Sequence, residues 1–236
     1  GLLNGSVFIH DDTLHCIGRD CPEGPLKVCR VEPHPVHLSC IQQPQGFCLE
    51  DPRYLGTYKR MHFFICADAA EYFQKETDHR IYQAVLVLDN RFNIADVWRI
   101  PSTGTTALEK NWVPIGSLDD QGRCDLLYKP GSERVVQLDC EQRSARLVGG
   151  ALDCAGPIRG GTPLLSGDGG ALWGLGHSRC GHAHGHYTLL QSNPLTYRCV
   201  QYEAQPSSLH ALRLTQLPSI LKGQVEFPCG AAFTAS

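Results

Sequence analysis

The run Glu50-Asp51-Pro52-Arg53 places two carboxylates and a guanidinium within four positions, directly ahead of the aromatic, strand-forming Tyr54-Leu55. A carboxyl group kept in its protonated form can serve as a general acid. The acid protonates a leaving oxygen, and cations steady an anionic or hydroxylated acceptor. Glu109, Lys110 and Asn111 form a second polar cluster about 60 residues on, and Arg159 with Thr162 a third. These groups are far apart in the chain, so they form one site only if the fold brings them together.

The elements available for that are strands. Val7–Ile9, Leu14–Ile17, Met61–Ile65, Tyr82–Leu88, Ala95–Ile100, Asp125–Tyr128, Arg134–Leu138, Ala171–Leu175, Tyr187–Gln191 and Tyr197–Tyr202 are rich in β-branched and aromatic residues, and many are bounded by Gly, Pro, Asn or Asp. Helical spacing is confined to Asp68–Glu76 and Leu209–Leu221, the latter broken by Pro218. Five segments share one plan, a polar or turn-forming lead into a strand, a turn, and a second apolar strand. They begin at residues 4, 50, 110, 161 and 226, at intervals of 46, 60, 51 and 65. Such intervals, each with room for about four short strands, predict the blades of a β-propeller. The expected fold is all-β, a single five-bladed propeller over residues 1–236, with the fifth blade incomplete because its start lies ten residues from the end. The first strands of a propeller line its axis, so Asp51, Arg53, Glu109, Lys110, Asn111, Arg159, Thr162 and Glu226 are expected around one funnel that suits a sugar.

The ordered set Glu50-Asp51-Pro52-Arg53, Lys110-Asn111, Gly161-Thr162-Pro163 with Gly176-His177, and Phe227-Pro228-Cys229-Gly230 resembles the five-bladed β-mannoside phosphorylases and the related β-1,2-mannosyltransferases. The resemblance implies that Asp51 is the catalytic acid, that Lys110 contacts phosphate or sugar, and that His177 belongs to the site. It implies an inverting transfer, phosphorolysis or hydrolysis of β-linked mannose or a similar hexose, with a carbohydrate substrate, inorganic phosphate or a sugar nucleotide as partners and no cofactor. Arg53 or Arg60 would assist Lys110. The sequence departs from the family pattern twice. Asn111-Trp112 replaces Asp-Ala, and Leu127-Tyr128-Lys129-Pro130 replaces a phosphate-binding His-Arg-Pro, leaving Lys129 as the cation at that place.

Each of these residues has a plainer alternative. Asp51-Pro52 fits an ordinary turn, Lys110 a solvated charge, and His177 a hydrogen-bonded blade-edge histidine. The same funnel without turnover would make a glycan- or protein-binding propeller. A second cluster, Cys180, His182, His184 and His186, has imidazoles at alternate positions that an extended strand would turn to one side, the geometry of a zinc site. The surrounding glycines fit a solvated loop equally well. Ser166-Gly167-Asp168-Gly169-Gly170 has glycine where a serine protease has its nucleophile, which excludes that chemistry.

Composition narrows the partners. A net charge of −3 and no Lys/Arg run longer than two leave nothing to recruit a nucleic-acid backbone. No stretch reaches the roughly 20 apolar residues of a membrane-spanning helix. Twelve cysteines, five of them between Cys16 and Cys48, permit a disulfide framework in the N-terminal fifth. Cys66 and Cys140 also fit as small apolar strand residues. The sequence leaves cytoplasmic, secretory-lumen and secreted locations open.

Overall fold

The computed structural model describes residues 3–19, 24–31, 36–74, 80–101, 112–128, 135–149, 158–160, 162–166, 172–180, 196–205 and 208–216. These residues form four antiparallel sheets in chain order. The first comprises β1 (Leu3–His10), β2 (Thr13–Arg19), β3 (Leu26–Arg30) and β4 (Val36–Ile41). The second comprises β5 (Leu49–Tyr58), β6 (Met61–Asp68), β7 (Tyr82–Leu88) and β8 (Ile94–Arg99), with the helix α1 (Ala70–Gln74) between β6 and β7. The third comprises β9 (Val113–Ile115), β10 (Arg123–Leu127), β11 (Val135–Asp139) and β12 (Ser144–Gly149). In the fourth, β13 (Ile158–Gly160) and β14 (Leu165–Ser166) both pair with β15 (Leu172–Cys180), which is followed by β16 (Thr196–Gln205) and β17 (Ser208–Gln216). Up-and-down sheets of this size are the form that propeller blades take. Asn4 and Glu50 lie within β1 and β5, Lys110 and Gly161 precede β9 and β14, and Glu226 lies outside the described residues.

Local chemistry sets the hairpins. Asp11 and Asp12 both have positive φ, as do Lys59 and Arg60, and each pair forms a two-residue connection whose twist matches its strands. Aspartates organise two further turns in the same way. Asp89 Oδ1 accepts the N–H groups of Arg91 and Asn93, and Asp119 Oδ1 those of Gln121 and Arg123. These hydrogen bonds hold the Asp89 carboxyl below the usual carboxylate range. At the start of α1, the fully buried Asp68 takes Ala70 N–H on Oδ1, while its Oδ2 receives Arg99 Nε at 2.6 Å.

Side-chain alternation in the second sheet supplies both major cores. Phe64, Cys66, Ala84, Leu86 and Leu88 pack against Phe8, Ile17, Leu26 and Val28 of the first sheet. Phe63, Ile65, Val85 and Val87 pack with Trp112, Leu126, Val136 and Leu138 of the third. Sheet two is therefore buried on both faces, which is why β6 and β7 read as nearly unbroken apolar runs. The helical spacing over Leu209–Leu221 is overturned for the part described. Residues 208–216 form β17 and pair with β16 from Val200 to Gln205, so ladder pairing decides where local spacing is ambiguous.

Between the first two sheets, Phe8 touches the rings of His15, Tyr54, His62, Phe64 and Phe92. His62 is 2% exposed and its Nε2 lies 3.0 Å from His10 Nδ1, one nitrogen donating and the other accepting. Burial, followed by the neighbouring His10 and His15, pushes the His62 pKa down to about 4. The folded protein therefore binds this proton less readily than the unfolded chain. The stabilisation from keeping His62 neutral is complete above pH 6.5 and is lost as the pH falls from 6.5 towards about 4. Unfolding free energy is expected to fall by roughly 3 kcal/mol across that window on account of this residue. Denaturant titrations at several pH values should show that slope, and it should flatten in His62→Gln.

A second expectation concerns Gly5, where a Cβ would fall 2.1 Å from the Ile17 carbonyl oxygen. That neighbour is ladder backbone and has little room to yield, so Gly5→Ala should lower the melting temperature markedly. A calorimetric scan matching wild type would show that β1 can shift.

Candidate active site

Asp51 sits in a bulge of β5. Glu50 pairs with Ala67 and Arg53 with Ile65, so Asp51 and Pro52 together face the single residue Cys66. Pro52 has no N–H to offer the ladder, which makes it tolerable there. Asp51 has φ 49°, a left-handed conformation unusual for a strand residue and costing on the order of 1 kcal/mol. The side chain is half-buried, and its Oδ1 is buried without a hydrogen-bond partner. Cys66 is fully buried, and burial, with the Asp51 charge adding to it, pushes its thiol pKa up.

The first sheet holds this bulge from both sides. Arg19 Nη1 donates to Glu50 Oε1 at 3.1 Å just before it, and Tyr54 N–H donates to Ser6 Oγ at 3.1 Å just after it. Both Arg19 and Ser6 are buried. A polar contact made away from water keeps most of its strength, so the strained conformation is set by neighbours outside its own strand.

The first strands of successive sheets lie beside one another. β1 meets β5 through the Ser6–Tyr54 bond, and β5 joins the third sheet where Leu118 N–H donates to the Leu55 carbonyl at 2.7 Å. Gly116 N–H donates to Leu164 O, and Leu164 N–H donates to Pro114 O, around a parallel bridge between Ile115 and Leu164. Because that bridge is parallel, Trp112 and Thr162, which precede these strands, lie at the same end of them. Trp112 is fully buried against Tyr128 at 5.9 Å, and its Nε1 has no hydrogen-bond partner. Thr162 is fully buried and donates to the Pro163 carbonyl. Trp112 and Tyr128, which the sequence places 16 positions apart, thus form one aromatic contact.

The expected site residues are placed as follows. Asp51 and the buried Arg53 flank the Pro52 bulge. His177 lies in β15, registered opposite Arg159 of β13 and Cys199 of β16. Arg60 occupies the exposed turn after β5, nine positions along the chain from Asp51. Glu109, Lys110, Asn111, Lys129, His182, His184 and His186 lie outside the described residues. Cys180 ends β15 opposite Thr196. Among the described residues, no group of three His, Cys, Asp or Glu side chains is placed to hold a metal ion. Sequence reasoning did not find Arg19 and Ser6. Ser6 could be read only as part of the lead into the repeat that begins at residue 4, and nothing local ties Arg19 to Glu50.

No known protein family matches this sequence, and neither does any curated protein. Solved structures do share its fold. A glycosyl hydrolase from Bacteroides ovatus superposes with a TM-score of 0.60 at 10% identity, over 90% of this chain and 69% of that one. A thermostable family-43 glycoside hydrolase gives 0.54 at 10% identity, over 96% and 74%. A third structure, from Parabacteroides distasonis, gives 0.59 at 12% identity, over 92% and 73%. At these identities the likeness is one of fold. It shows that the succession of antiparallel sheets in this chain is an architecture already seen in solved structures.

Ser6→Ala removes the acceptor of a partly buried backbone N–H next to the bulge and should cost about 1–2 kcal/mol. For a chain of this size that lowers the melting temperature by roughly 2–8 °C. A wild-type melting curve for Ser6→Ala would show that the bulge holds itself.

Proposed function

We propose that this chain is a carbohydrate-active enzyme, a single propeller domain of five blades that acts on β-linked mannose or a similar hexose by one inverting displacement. The observation that supports it is Asp51, a strained residue with a buried, unpartnered carboxyl oxygen at the start of the second sheet's first strand. A buried oxygen without a protein partner is suited to one supplied by a ligand. The shared fold with glycosyl hydrolases agrees with this reading.

In the proposed reaction Asp51 delivers its proton to the glycosidic oxygen, directly or through a sugar hydroxyl. The C–O bond to the leaving group breaks while an acceptor oxygen bonds to the anomeric carbon from the opposite face. Arg53 and Lys110 steady the acceptor, and Thr162 and His177 line the sugar site, with Glu109, Asn111 and Lys129 nearby. Tyr128, packed on Trp112 and in the segment that stands where the phosphorylases carry a phosphate-binding His-Arg-Pro, favours water or a sugar hydroxyl over phosphate as acceptor.

The test is to incubate the protein with β-mannosides and, in separate reactions, with water alone, phosphate or mannose as acceptor, and to follow the products by NMR. The first product should have the α configuration, and Asp51→Asn should lower turnover by about 10²–10⁴-fold. A β product, or wild-type turnover in Asp51→Asn, would overturn the mechanism. Binding without any turnover would favour a glycan-binding propeller.

A further inference from the structure

Cys16 and Cys29 are directly opposite each other on the adjacent antiparallel strands β2 and β3. Residues opposed in this way have Cα atoms about 4.5–5.5 Å apart, inside the roughly 4.4–6.8 Å span that a disulfide bridges. Opposed side chains leave the same face of the sheet, and the Cys16 thiol is in hydrogen-bond contact with that of Cys29. Both residues are partly exposed and both thiols are free.

The other described cysteines lack this arrangement. Cys40 is opposite Lys27, Cys66 is fully buried opposite Ala84, and Cys124 is opposite Leu138, which puts it only diagonally near Cys140. Cys124 and Cys140 are also buried, and burial pushes both thiols up to about 12. A thiol held that high supplies little thiolate for exchange. Burial and the neighbouring Cys29 also raise the Cys16 thiol, so what sets the Cys16–Cys29 pair apart is its facing geometry and exposure.

We propose that Cys16 and Cys29 form a thiol pair that closes to an intramolecular disulfide in the presence of a low-molecular-weight disulfide such as oxidised glutathione. One thiolate attacks a sulfur of the oxidant, forming a mixed disulfide and releasing one molecule of reduced thiol. The second thiolate then attacks the protein sulfur of that mixed disulfide, forms the Cys16–Cys29 bond and releases the second molecule of reduced thiol. The two cysteines are oxidised, the oxidant is reduced, and the two thiol protons end on the released thiols. The ring so closed contains Arg19, the residue that holds Glu50 beside the Asp51 bulge. The proposal does not depend on the enzymatic reading above.

The experiment uses the whole reduced chain, incubated with oxidised glutathione, quenched with an alkylating agent, digested with trypsin and mapped by mass spectrometry. Cleavage after Arg19 and Lys27 separates the two cysteines into different peptides. The expected result is a cross-linked peptide pair joining Cys16 to Cys29, two hydrogens lighter than the sum of its peptides and resolved by dithiothreitol. In Cys16→Ser and in Cys29→Ser, the remaining cysteine should instead carry glutathione. The wild-type map stands even if a variant misfolds. Independent alkylation or glutathionylation of both cysteines in the oxidised wild type would overturn the proposal, as would either cysteine joined mainly to a different partner.

Discussion

The burial of the second sheet on both faces is the constraint on which the rest of the described structure depends. Successive residues of β6 and β7 point into opposite cores, so Phe64 and Leu86 serve the first sheet while Phe63 and Val85 serve the third. Buried apolar side chains contribute about 1.5–3 kcal/mol each when removed from water, and here two strands contribute to two interfaces at once. A slip of one residue in β6 would exchange the two sets and give each core side chains of the wrong shape and volume. The register of β5 on β6, and with it the position of the Asp51 bulge, follows from that pairing.

Asp51 is a local exception to this order. A left-handed residue followed by proline would be avoided in most strands, yet buried contacts from β1 and β2 hold the flanking residues Glu50 and Tyr54. Strain kept in place by several independent contacts is commonly found where a protein must present a group in a fixed direction. The same first sheet carries the facing thiols Cys16 and Cys29 and the histidine–aromatic cluster around Phe8. Its polar and aromatic groups thus orient the second sheet as well as stabilise their own.

Much of the strand architecture was legible in the chain. Tyr82–Leu88 could be read with its observed bounds, and Met61–Ile65 lies within β6, because a strand buried on both faces gives a long apolar signal. β3 and β4 were harder to see. Lys27 and Arg30 interrupt one, and prolines at 33 and 35 precede the other. Leu209–Leu221 misled because leucines three or four apart fit a helix or one edge of a ladder, and only pairing with β16 distinguishes them. For the site, sequence spacing could single out Asp51 and Arg53, but not the bulge between them, which arises from the register with Cys66 and from contacts made 31 and 48 residues away. Arg60 lies in the turn beyond the other end of β5 from Asp51.

The second sheet meets the third, and the third the fourth, partly through main-chain bonds: Leu118 to Leu55, Gly116 to Leu164, and Leu164 to Pro114. Peptide groups are common to every residue, so a junction of this kind places few demands on which side chains flank it. The first strands can then stay aligned through these bonds while the apolar side chains packed between the sheets change together. That freedom gives a physical reason why chains that coincide at a TM-score of 0.60 can retain only 10% of their residues in common.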